Sequence, residues 1–69
     1  MDKYIKIMLI KLSNKYDKAT ITHIQSYNRE KNKLINIYKL VIKNKGKVRT
    51  IDCYSKRTLV QEMIKWVED

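Results

Sequence analysis

The sequence predicts a small α+β domain: an antiparallel β-meander of three or four strands packed against one C-terminal helix. Three observations carry that reading. The stretch Leu34–Tyr54 is two β-rich runs joined by Asn44-Lys45-Gly46-Lys47, and Gly46 is the only glycine in the chain. A glycine between two such runs marks a hairpin, because a turn residue there takes φ > 0 and only Gly does so without strain. The segment from Ser55 onward carries an apolar stripe at helical spacing. Finally, the 69 residues hold 43% apolar side chains and no proline, enough for one core and too few for a second. Residues 1–69 are therefore read as a single domain.

Taken in order, Lys3–Leu12 fits two periodicities. As a strand, Ile5, Ile7 and Leu9 share a face; as a helix, Tyr4, Ile5, Met8, Leu9 and Leu12 form a stripe. The three isoleucines and the polar cluster after Leu12 favour a strand. Ser13–Lys18 reads as a loop. Ala19–Tyr27, rich in Thr and Ile, reads as a strand at an edge or half exposed. Asn28–Lys33 is a wholly polar connection.

The register of the hairpin follows from its pattern. With Asn44–Lys47 as the loop, Ile42 faces Arg49, Leu40 faces Ile51 and Tyr38 faces Cys53. Tyr38, Leu40, Ile42, Ile51 and Cys53 then share one face, while Lys39 and Asp52 form an opposite-charge pair on the other. A slip of one residue would set Leu40 against Thr50 and Tyr38 against Asp52, a poorer match.

Ser55 is a good N-cap for the last helix. Tyr54 and Leu59 have the spacing of a hydrophobic staple. Leu59, Val60, Met63, Ile64 and Val67 make its apolar stripe, with Trp66 alongside. Its expected role is to cover one face of the sheet.

Enzyme motifs are not found. One glycine cannot make a phosphate-cradling loop, and His23 and Cys53 are too isolated in sequence for a metal-ligand set. A Cys–His nucleophile pair across a sheet is conceivable, but a lone Cys in an apolar strand reads as a core residue. His23, alternating with Ile21 and Gln25, reads as a solvated or hydrogen-bonded strand histidine. A lone His acting with nearby Lys and Tyr, as in a small ribonuclease, is the weaker alternative. No cofactor is expected, and no enzymatic activity.

Charge is more informative. The chain has 16 Lys+Arg against 7 Asp+Glu, a net charge of +9. A folded domain this cationic is expected to meet an anion: nucleic acid, an acidic protein or a membrane surface. From Arg29 to Arg49 the cations are Arg29, Lys31, Lys33, Lys39, Lys43, Lys45, Lys47 and Arg49, against Glu30 alone, whereas the C-terminal helix is balanced. Arg29, Lys31, Lys33, Lys43, Lys45, Lys47 and Arg49 are the expected phosphate-contacting residues, with Tyr16, Tyr27 and Tyr38 as stacking faces if exposed. A solvated rim around a small protein is the bland account of the same charges.

The expected function is a small, backbone-directed nucleic-acid-binding module, of the size of accessory or regulatory proteins of bacterial mobile elements and viruses. The alternative is a protein-interaction or inhibitor module that docks on an acidic partner through the basic surface or an exposed edge strand. A membrane is not an expected partner, since the C-terminal helix lacks a strongly cationic polar face. A core this small makes self-association reasonable. The single cysteine and the short apolar run Ile7–Ile10 point to a reducing, cytoplasmic setting.

Overall fold

Asp2 decides the fate of the first segment. In the computed structural model, which describes residues 2–68, the Asp2 carboxylate accepts a hydrogen bond from the Tyr4 backbone N–H at 2.8 Å and caps a helix, α1 (Lys3–Lys15). This corrects the expected strand at residues 3–12. β-branched content argued for a strand, but a helix buries Ile5, Met8 and Leu12 on one stripe and turns the lysines outward. A strand would have left apolar side chains on both faces.

The rest follows the expected order: β1 (Lys18–Asn28), β2 (Lys33–Asn44), β3 (Lys47–Cys53) and α2 (Lys56–Glu68). The sheet has three antiparallel strands in the order β1-β2-β3, so the meander has three strands and the domain two helices. The hairpin register is the expected one, with Tyr38 opposite Cys53, Leu40 opposite Ile51 and Ile42 opposite Arg49. The ladder closes one pair further than expected, at Asn44–Lys47, leaving only Lys45 and Gly46 as the loop. Their φ values of 52° and 80° are those of a type I′ turn, whose twist matches the strands it joins.

Ser55 caps α2 as expected: its Oγ accepts from the Thr58 N–H at 3.1 Å. The staple does not form. Leu59 is buried while Tyr54 is exposed.

All the buried apolar residues lie between one face of the sheet and the two helices: Ile5, Met8 and Leu12 from α1; Ala19, Leu40, Ile42 and Cys53 from the strands; Leu59 and Met63 from α2. α1 packs on β1 and on α2, and α2 packs on β2 and β3. The C-terminal ends of the helices are tied together. Lys15 Nζ donates to the Trp66 and Val67 carbonyls at 2.9 and 3.1 Å, and the Tyr16 hydroxyl donates to Trp66 O at 3.0 Å. A cation on orphan carbonyls at a helix C-terminus satisfies them and complements the helix dipole.

Two layers give a thin, long molecule of 41 × 26 × 17 Å. Its length comes from the β1–β2 ribbon. β3 pairs with residues 38–44 of β2 only, so residues 24–28 and 33–37 project as a two-stranded arm.

Candidate nucleic-acid interface

β2 is the axis along which the basic residues are arranged. At its start, Arg29 and Lys31 occupy the β1–β2 turn and Lys33 is the first residue of the strand. Asn28 organises this turn, its Oδ1 accepting from the Glu30 and Lys31 backbone N–H groups at 3.0 and 3.2 Å. Asn32 takes φ 50° to complete the reversal, and its side chain bonds the Tyr27 hydroxyl. At the other end of β2 lie Lys43, Lys45, Lys47 and Arg49, around the β2–β3 turn.

The seven expected phosphate-contacting residues are all exposed, but they form two clusters and not one. β2 has 12 residues, so its ends stand about 36 Å apart at the rise of an extended strand. Residues close in sequence are separated because the strand between them is straight.

Register adds Lys18 to these cations. Lys18 pairs with Lys43 across β1 and β2, joining the second cluster. Strand alternation sets Lys18, Lys33, Lys39 and Lys43 on the face of the sheet opposite the helices, together with Thr20, Thr22, Ser26 and Thr50 and with the apolar Ile24, Ile35, Ile37, Val41 and Val48. Neither helix covers this face, since every buried strand residue points to the other one. Asp52 is its one acid, opposite Lys39 in the expected register. The two side chains do not form an ion pair; among the described residues the ion pair is Glu62–Lys65 at 3.4 Å, on α2. Among the described residues none of the seven cations of the two clusters is in an ion pair.

One acid does approach the second cluster. The Asp17 carboxylate accepts from the Lys45 backbone N–H at 2.8 Å, fixing the turn to the start of β1.

Two of the three tyrosines expected as stacking faces are engaged elsewhere. Tyr16 packs edge-on to Trp66, with ring centroids 5.8 Å apart. Tyr38 stacks on His23 at 4.5 Å between ring centroids, 8° from parallel. Tyr27 is exposed near the tip of the arm. None of the three is on the uncovered basic face.

The Cys–His pair is not assembled. His23, Tyr38 and Cys53 stand in one row across the sheet, and Tyr38 separates the other two. Cys53 is wholly buried, and burial, followed by the carboxylates of Glu62 and Asp52, pushes its thiol pKa up. It is a core residue, and burial disfavours its thiolate. His23 Nε2 lies 3.0 Å from Asn36 Oδ1, the hydrogen-bonded strand histidine that the alternation implied. Among the described residues no group of His, Cys, Asp and Glu could hold a metal ion, and no helix is long and apolar enough to cross a membrane.

Compared with known proteins, the chain matches no family model, no curated protein and no solved structure.

Proposed function

We propose that this protein is a nucleic-acid-binding module that holds its ligand mainly through the phosphate backbone. The observation that carries the reading is the uncovered face of the sheet, where Lys18, Lys33, Lys39 and Lys43 stand against a single acid. Arg29 and Lys31 in the turn at one end and Lys45 in the turn at the other border that face, while Lys47 and Arg49 pair with Asn44 and Ile42 on the helix side of the sheet. A surface of this kind attracts a polyanion because each cation that meets a phosphate releases a condensed counterion. Its length of about 36 Å is close to one turn of duplex DNA, and serine and threonine hydroxyls between the lysines are ordinary phosphate partners.

The test is fluorescence anisotropy with labelled single- and double-stranded DNA and RNA at two salt concentrations. Micromolar or tighter binding with a steep salt dependence is expected for at least one of them. Reversing Lys43, Lys45 and Lys47 to Glu abolishes binding while the circular dichroism spectrum stays that of the wild type. Unchanged affinity in that variant would remove the β2–β3 turn from the interface.

A second reading is favoured by one observation. β1 is an edge strand of 11 residues, long for an unpaired edge. An acidic protein that adds a strand there would engage Lys18 and the turn lysines as well. Such binding, held partly by main-chain hydrogen bonds, weakens less with salt than binding to a polyanion does.

A further inference from the structure

Where the β1–β2 arm leaves the helices, the covered side of the sheet opens into a cleft of about 420 Å³. That volume lies in the range of small-ligand sites. Its floor is apolar, made by Ile21 with the buried Ile5 and Leu59. Its wall is polar and comes from two neighbouring strands: His23 and Gln25 on β1, Asn36 and Tyr38 on β2. Lys56, the first residue of α2, completes the rim.

The hydrogen bonds fix what this wall offers. Asn36 Oδ1 accepts from Gln25 Nε2 at 3.1 Å and lies 3.0 Å from His23 Nε2. The two contacts share one amide oxygen and tie the three side chains together. Asn36 is left with its Nδ2 donors and Gln25 with its Oε1 acceptor, neither of them partnered among the described residues. A donor and an acceptor on neighbouring side chains can complement a hydrogen-bonding edge of a nucleobase. Tyr38 covers one face of the His23 ring, and His23 remains exposed. Stacking, edge hydrogen bonds and a nearby cation are together how proteins hold an unstacked base and its phosphate.

We propose that this cleft is a base-binding subsite, which seats one unpaired nucleobase from a single-stranded nucleic acid. The inference rests on the backbone-directed reading above and narrows it to single strands. The base lies against His23, its edge meets Asn36 and Gln25, and its phosphate meets Lys56. A strand held on the uncovered lysine face reaches the cleft by passing over β1, the exposed edge between the two surfaces. A base paired in a duplex cannot make that excursion.

The experiment compares short single-stranded oligonucleotides with a duplex of the same sequence, using the wild type, a His23→Ala/Asn36→Ala double variant and Lys56→Ala. The wild type is expected to prefer the single strand. The double variant loses about tenfold or more of that affinity while duplex binding is unchanged. Lys56→Ala, at an exposed helix start where folding is not in question, gives a smaller loss with the same selectivity. If all three proteins bind single strands equally while the Lys43, Lys45 and Lys47 reversal still abolishes binding, the cleft is refuted and the backbone reading stands. Equal losses on single strand and duplex also refute the cleft. If the wild type binds no nucleic acid, both readings fall.

Discussion

The carboxylate of Asp17 is bound to the backbone N–H of Lys45 at 2.8 Å, across 28 positions of sequence. The acid nearest the basic β2–β3 turn thus serves to position that turn, and it lowers the local positive charge by one. These two effects separate by substitution. Asp17→Asn keeps an acceptor oxygen and removes the charge, so nucleic-acid affinity is expected to rise at low salt with little change in melting temperature. Asp17→Ala removes the acceptor as well and is expected to cost about 1 kcal/mol of stability, read from urea denaturation.

The salt dependence of binding counts the phosphate contacts. Replacing Lys43, Lys45 and Lys47 with Gln is expected to flatten the slope of log K against log salt by about 2 to 3. A flatter slope with little change in the folded spectrum is the result to look for. A slope equal to the wild type's would mean that these three residues touch no phosphate.

The two-residue turn allows a test with opposite signs. Gly46 has φ 80°, and a Cβ there would meet nothing within 4 Å. Gly46→Ala is therefore strained by its backbone alone and is expected to cost about 1 kcal/mol. Lys45 sits at φ 52° without being glycine. Lys45→Asn creates the Asn-Gly pair that a type I′ turn favours, and is expected to raise the melting temperature by a few degrees.

In the core, Leu12→Ala and Leu59→Ala are each expected to cost about 2–5 kcal/mol, because both side chains are fully buried where α1, α2 and the sheet meet. For a domain of this size such a loss is comparable with the whole stability. Largely unfolded circular dichroism spectra at 37 °C would follow, against little effect from Ile10→Ala on the exposed side of α1.

The Cys53 thiol gives a pH prediction. Its pKa is raised in the folded state, first by burial and then by Glu62 and Asp52. The folded chain therefore holds that proton to higher pH than the unfolded chain does. Its contribution to stability is complete below the unfolded thiol's pKa, about 8.5, and is lost as pH rises above it. Urea midpoints should fall above that pH, and fall less steeply in Cys53→Ala. At pH 8, alkylation of Cys53 should require denaturant.

Much of this architecture could be read from the residues. Gly46 announced the hairpin, the match of Tyr38 with Cys53 and Lys39 with Asp52 fixed its register, and Ser55 announced α2. The first segment misled because β-branched residues carry only a weak preference, while burial of Ile5, Met8 and Leu12 decides the outcome. Asp2, one position before the periodic run, was the local sign of a helix. The basic residues were found individually, but their arrangement was not. Whether Arg29 and Lys45 lie together depends on a straight strand between them, and Lys18 joins Lys43 only through the pairing of β1 with β2. The cleft was hidden for the same reason. Alternation put His23 and Gln25 on one face, but only the β1–β2 register brings Asn36 and Tyr38 to them.

The bonds from Lys15 to the carbonyls of Trp66 and Val67 join α1 to a helix that is synthesised after the sheet. α1 leaves the ribosome first, yet the surface against which Leu12 packs is complete only when α2 has followed. The two hairpins can pair as soon as they emerge, since their contacts are local. Until α2 arrives, Ile5, Met8 and Leu12 have nothing to cover them fully. A pause in translation between β3 and α2 would hold the chain with an open core, and that is when it would be most exposed to proteases and chaperones.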